Sequence, residues 1–408
     1  MSKFRKFIDN FFTKVSLWFL YIYQKTISPD KWIFSDWLRW TVCRHEPHCS
    51  QYAKESLSYR WFLDSAGMIT SRVANCKPWY DKIYDPARYK VVFASSSDIW
   101  LPFLEEIIDN PWFELVWIVT QNDKPGHRWL QNSANPIKKF WQSKLEIEDI
   151  PLLEPTKLNP DKSEEGKNFA KDFEFLDCDF FVVISYGKII PQKILDIPKI
   201  APINIHGSVL PKYRGASPIQ TTLINGDKQT GITIMLMDAK LDEWDIIDIL
   251  PIDIKLSDNS ETIINKFGIY GPKFMSKTLI DFAHHDIHSK SQDHTLASFT
   301  TKITKEDAKI DIYTDKLSQL YQKYQWYYLW PKVRFELNNK RFIIENMSLH
   351  ENMYNNKQDI GKSKIYSDLP LLDTNNNLNI CVKNILIKPE GKKSINFASR
   401  KNWYLKNS

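Results

Sequence analysis

Glycine is scarce in this chain. There are 12 glycines in 408 residues, where average usage of roughly 7% would give about 29. Tryptophan, at 15, outnumbers it. Glycine supplies positive φ and close backbone approach. A chain this poor in it either does without tight turns or is written with another residue where glycine belongs. Long apolar runs are also missing: no stretch of 18 apolar residues exists, which excludes a simple membrane-crossing helix. Cysteines are few and odd in number (Cys43, Cys49, Cys76, Cys178 and Cys381). That count argues against a secreted disulfide framework and for a reducing, cytoplasmic setting.

Net charge is small, +6, but unevenly placed. Residues 1–89 hold 14 Lys/Arg against 8 Asp/Glu, whereas the rest holds 41 of each. The excess at the N-terminus favours an anionic partner such as a lipid surface. Residues 3–25 read as a helix with large apolar side chains from Phe4 to Ile22 and a cationic complement at Lys3, Arg5, Lys6, Lys14 and Lys25. Its apolar centre is too short to span a bilayer, and no small-residue cleavage site follows, so an amphipathic helix lying in the lipid interface is expected.

At 408 residues two or three domains are expected. From Tyr89 onward, apolar runs at 89–95, 113–121 and 178–187, then 201–211, alternate with helical stretches. This pattern indicates an open, largely parallel α/β sheet. Ligands in such sheets bind beyond the carboxyl ends of strands, so SYG (185–187) and NIHGS (204–208) are where chemistry belongs. The polar stretch 284–295 reads as a solvated linker. Beyond residue 300 short strands with Asn/Lys turns predict a β-rich domain, and Asn338–Asn339 reads as a hairpin turn.

Asn204 and His206 lie two apart on a strand end, so their side chains share a face. Asp238, Asp242 and Asp245 follow some thirty residues later. A carboxamide donor, an imidazole and a carboxylate can together catalyse acyl transfer to an amine. Spacing alone leaves this weakly specified, since His near Asn is common.

The run from Asn204 to Ile246, NIHGSVLPKYRGASPIQ through MDAKLDEWDI, resembles the signature region of the 10-formyltetrahydrofolate-dependent formyltransferases. Residues 92–107 resemble that family's first strand and helix, and TQNDKPGHRW its substrate loop. The features TKITKEDAKIDI, YLWPKVRF and KPEGKKSINF resemble the second domain of the methionyl-tRNA branch. The resemblance implies catalytic Asn204, His206 and Asp242. It implies folate contacts at Ser208, Val209, Leu210 and Pro211, and at Ser185 and Gly187. It also implies a tRNA contact at Arg128, with 10-formyltetrahydrofolate and methionyl-initiator tRNA as substrates and no metal. A nucleotide-sugar formyltransferase, or a membrane-associated assembly factor carrying an inactive formyltransferase scaffold, are the competing readings.

The segments TVCRHEPHCSQYAKESL and SRVANCKPWYDKIYDP resemble the membrane protein insertion efficiency factor family, found at the bacterial inner membrane. Cys43, Cys49 and Cys76 with His45 or His48 do not match a standard zinc finger, and burial of the thiols is the favoured reading. The implied fold is α/β, with a small helical N-terminal domain (1–88) and a Rossmann-like formyltransferase domain with a mostly parallel sheet (89–290). A small β-barrel-like (OB-like) C-terminal domain that binds tRNA (301–408) follows. The implied location is cytoplasmic, peripheral to the inner face of the cell membrane, within reach of the insertion machinery.

Trp129, Trp244 and Trp403 stand where the family pattern has glycine. Some bacteria read UGA as glycine, and translating those codons as tryptophan produces this substitution pattern. UGA is therefore expected at codons 129, 244 and 403. Sequencing the gene tests this, and UGG at all three refutes it.

Overall fold

The computed structural model describes residues 12–22, 45–59, 62–75, 83–84, 86–123, 135–144, 147, 149–238, 242–255, 257–311, 315, 317–337, 340–350, 381–389 and 395–396. Arg128, Trp129, Trp403, Cys43, Cys76 and the N-terminal lysines and arginine at 3–6 lie outside these residues, as does residue 25.

Residues 12–22 are helical, and Trp18 and Phe19 stand about three-fifths exposed (59% and 61%). Helices α1 (Cys49–Tyr59) and α2 (Phe62–Asn75) form a pair. Their shared core holds Tyr52, Ala53 and Leu57. The buried Arg72 guanidinium lies 4.0 Å from the Tyr52 ring centroid and donates to Pro47 O at 2.6 Å. Burying a cation requires such partners. Cys49 is half-buried. Among the described residues no helix is long and apolar enough to cross a membrane.

The central sheet begins with β1 (Tyr89–Ser95) and continues with β2 (Phe113–Val119) and β3 (Leu152–Leu153). Then come β4 (Phe180–Ile184), β5 (Ala201–His206), β6 (Gln229–Leu236) and β7 (Ile246–Asp253). The spatial order is β7-β6-β5-β4-β1-β2-β3. The pairings of β3 with β2, β2 with β1, β1 with β4 and β4 with β5 are all parallel. Strand β4 is buried at every position, and β1 at all but Lys90. Near-continuous apolar runs are what a parallel strand covered on both faces requires.

The connecting helices start on local signals. Helix α3 (Leu101–Asp109) has proline in its first turn. Helix α4 (Pro136–Ser143) opens on Pro136 with Asn135 accepting from the Ile137 N–H, and α5 (Glu164–Phe175) with Ser163 accepting from Gly166 and acidic residues in its first turn. These devices satisfy donors that a helix start leaves unpaired and complement its dipole. Phe173 of α5 packs on Trp117 and Phe181, so Trp117 is a true core residue.

The chain divides into two compact units. One comprises 1–205, 234–240 and 272–290, and the other 206–233, 241–271 and 291–408. In the second, β8 (Arg334–Leu337), β9 (Lys340–His350), β10 (Cys381–Pro389) and β11 (Ile395–Asn396) form a four-stranded antiparallel sheet in that order. Leu337 pairs with Lys340, so β8 and β9 pair as the hairpin the sequence predicts, while the predicted turn residues 338–339 lie outside the described residues. The stretch 284–295 is largely exposed, as the sequence predicts, with one exception: Gln292 is buried. Beyond it, residues 294–296 form a 3₁₀ turn and Phe299–Thr300 pairs in parallel with Arg214–Gly215. Composition does not reveal Gln292 because its buried amide is fully hydrogen-bonded.

Cys178 sits in the core beside β4, and burial, reinforced by the Asp179 carboxylate, pushes its thiol from 9.0 up to about 12. An unfolded chain therefore sheds this proton from about pH 9 while the folded chain keeps it. Above pH 9 the folded state binds more protons, so this group's stabilising contribution declines as pH rises through that window. The urea midpoint is expected to fall more steeply between pH 9 and pH 11 in the native chain than in Cys178→Ala.

Candidate active site

Strand β5 ends at His206, and the following loop turns back on itself. His206 Nε2 lies 2.9 Å from the Tyr213 carbonyl oxygen. A carbonyl only accepts, so Nε2 carries the proton and donates to it. In the neutral ring Nδ1 is then the free lone pair. It faces Asp242 Oδ2 at 3.7 Å, beyond hydrogen-bond length but within ion-pair range once the ring is charged. Both side chains are buried, at 6% and 7% exposure. Low exposure strengthens their mutual field.

Asp242 is held in a left-handed conformation (φ 52°), and its Oδ2 accepts from the Gly215 N–H at 2.7 Å. Asp is among the few non-glycine residues that adopt this conformation readily. Gly215 is itself left-handed (φ 108°), and a Cβ there would lie 2.9 Å from Thr300 Oγ1 and 3.0 Å from its carbonyl oxygen. A side chain at 215 is thus excluded on two grounds. Trp244 is 38% exposed, and its φ is not in the left-handed region. The structure accommodates an indole at 244 because the strained position of this turn is Asp242.

Asn204, half-buried, precedes His206 by two on β5. The loop after His206 is pinned from inside. Ser208 is fully buried and donates to Lys212 O at 2.7 Å, while Thr233 Oγ1 donates to Ser208 O at 2.6 Å. Ser208 thus shapes the loop. Val209 and Pro211 are half-buried and Leu210 is buried.

The second sequence-predicted run follows β4. Ser185 (φ 48°) and Gly187 (φ 77°) are exposed and left-handed on either side of the buried Tyr186. The Tyr186 carbonyl accepts from Ser96 Oγ and from Gln121 Nε2, each at 2.5 Å. A Cβ at 187 would lie 2.6 Å from that same Nε2. Burial pushes the Tyr186 phenol upward, so it stays protonated. The resulting turn carries two exposed residues, Ser185 and Gly187, on a hydrogen-bonded base.

The described residues on either side of 124–134, the segment that contains Arg128, are tied to one another. Asp123 Oδ1 accepts from the Asn135 N–H at 3.0 Å, and Lys138 bridges Asp123 at 3.3 Å and Glu154 at 2.8 Å. The Asn135 bond, foremost, holds the Asp123 carboxyl below its ordinary range. Among the described residues no group of three His, Cys, Asp or Glu side chains is placed to hold a metal ion. Sequence reading missed Tyr213, Gly215 and Gln292. Only the glycine carried a signal, as one of few in the chain beside a catalytic motif.

Residues 89–279 match the family described as formyl transferase, and residues 12–88 that described as "Putative membrane protein insertion efficiency factor". A methionyl-tRNA formyltransferase of Nostoc sp. is 35% identical over 243 residues, 59% of this chain and 69% of the relative. That of Mycoplasmopsis pulmonis is 38% identical over 229 residues, 56% and 74% of the two chains. Among solved structures, HypX from Aquifex aeolicus in complex with tetrahydrofolic acid shares the fold. Its TM-score is 0.50 at 11% identity, over 78% of this chain and 48% of that one. The chain belongs to the methionyl-tRNA formyltransferase family, and its first 88 residues carry a membrane protein insertion efficiency factor segment in the same polypeptide.

Proposed function

We propose that the chain transfers a formyl group from 10-formyltetrahydrofolate to the α-amine of methionyl-initiator tRNA, with Asn204, His206 and Asp242 as the catalytic group. The observation that carries this is the buried His206–Asp242 pair with its tautomer fixed by Tyr213 O. 10-Formyltetrahydrofolate supplies the electrophilic carbon. The amine attacks that carbon, and Asn204 donates to the oxygen on which charge develops. His206 Nδ1 takes the amine proton as general base. The imidazolium so formed faces Asp242, whose charge stabilises it. The proton then passes to the leaving nitrogen of the folate.

Ser185, Gly187 and the loop Ser208, Val209, Leu210 and Pro211 hold the folate in this reading, with Ser208 acting through loop shape. Arg128 contacts tRNA as a charge on phosphate or a stack on a base. In this reading the chain carries an N-terminal domain at 1–88, a catalytic domain at 89–290 and a tRNA-binding domain at 301–408.

Purified full-length protein is expected to formylate charged initiator tRNA. Asn204→Ala, His206→Ala and Asp242→Asn are each expected to lower kcat by roughly 10² to 10⁴. Melting temperatures serve as the folding control. Transfer to a nucleotide sugar and not to tRNA overturns the assignment, and inactivity with intact membrane association favours the scaffold reading.

We propose further that the N-terminal helix lies on anionic lipid at the inner face of the cell membrane and so places the enzyme near the insertion machinery. The exposed Trp18 and Phe19 support it. The chain is expected to sediment with anionic vesicles and to lose this at high salt. The Trp18→Glu/Phe19→Glu double variant is expected to stay in the supernatant while retaining formyl transfer.

A further inference from the structure

Gln292 lies fifty residues from Asp242 in sequence, in a stretch whose composition suggests nothing but solvent. Its side chain is 6% exposed. Its Nε2 donates to the Asp242 carbonyl oxygen at 3.0 Å and to the Trp244 carbonyl oxygen at 2.6 Å. Its Oε1 accepts from Arg214 Nε at 3.2 Å and Nη2 at 2.7 Å. One amide thus uses both donors and both lone pairs.

The partners are equally committed. Arg214 is 2% exposed, with Nη2 also 3.1 Å from His294 Nδ1 and Nη1 3.9 Å from Glu243 Oε1. Arg214 lies between Tyr213, whose carbonyl fixes His206, and Gly215, whose N–H holds the Asp242 carboxylate. Gln292 therefore joins the segment that orients the histidine to the backbone of the segment that carries the aspartate.

Asp242 needs such a device. Its backbone is left-handed, a conformation less favourable to aspartate than to glycine and one that the surroundings must hold in place. Gly215 fixes the carboxylate end, and Gln292 fixes the peptide end of the same residue. We infer that Gln292 is a positioning residue for catalysis: its carboxamide clamps the Asp242–Trp244 turn so that Oδ2 faces His206 Nδ1. The inference rests on the catalytic assignment of Asp242 above.

Two substitutions separate this role from general support. Gln292→Met keeps the length and removes all four hydrogen bonds. Gln292→Glu keeps an acceptor for Arg214 but replaces the donor that the two carbonyls need. Both are expected to lower kcat by about ten- to a hundredfold, with KM for tRNA and for 10-formyltetrahydrofolate unchanged within about twofold. Both are also expected to displace the pH profile of kcat from that of the native chain. Activity is read per folded molecule, with circular dichroism and melting temperature measured on each variant. Should Gln292→Met fail to fold, Gln292→Glu, which retains the link to the arginine, carries the test. Native kcat and pH profile in Gln292→Glu overturn the inference. So does a loss explained wholly by a smaller folded fraction with the pH profile unmoved. Asp242→Asn run alongside distinguishes the two levels. A slow Asp242→Asn beside a fast Gln292→Glu refutes the clamp alone, whereas a fast Asp242→Asn refutes the catalytic assignment and the clamp's purpose with it.

Discussion

The hydrogen bond from the Gly215 N–H to Asp242 Oδ2 ties two loops that leave different strands, and the geometry of the candidate site follows from it. It sets where the carboxylate points, and hence the 3.7 Å approach to His206 Nδ1. It also demands a residue without a side chain at 215, because Thr300 already fills that space. Thr300 belongs to the short strand Phe299–Thr300, which pairs with Arg214–Gly215. The segment after the long helix Ser260–Ala283 is thereby part of the scaffold under the site. Polar side chains here bind backbone, which makes their positions as firm as those of a packed core.

Strand β1 was legible because the apolar run 91–94, rich in Val and Phe and too short for a helix of its own, fits a buried parallel strand. The antiparallel pairing of β8 with β9 was legible from the Asn-rich break between two alternating runs. Asn204 and His206 were placed by the alternation of β5 and by motif resemblance. Three things were not legible. Gln292 bonds main-chain carbonyls, and a backbone partner leaves no pattern in sequence. Tyr213 acts through its carbonyl oxygen, for which any residue type serves. The third concerns Trp244: motif comparison points to it as the strained position, whereas the left-handed residue is Asp242, already the residue the chemistry needs.

Both halves of the chain bury an arginine among directional partners. Near the N-terminus the Arg72 guanidinium is buried against a tyrosine face and a carbonyl, while the preceding helix leaves Trp18 and Phe19 in the open. In the formyltransferase part Arg214 is buried more deeply still, against an amide, an imidazole and a distant carboxylate. A buried cation with directional partners acts as a joint of fixed angle, since moving any partner leaves it uncompensated.

The Tyr213 carbonyl has one more consequence. A histidine with both nitrogens open can take a proton on one side of the ring and release it on the other. His206 has one nitrogen engaged with the main chain. That leaves a single doorway, the Nδ1 edge beside Asp242. In the proposed mechanism a proton that enters by this edge leaves by it too, so the group giving it up and the group receiving it share that one small space in turn.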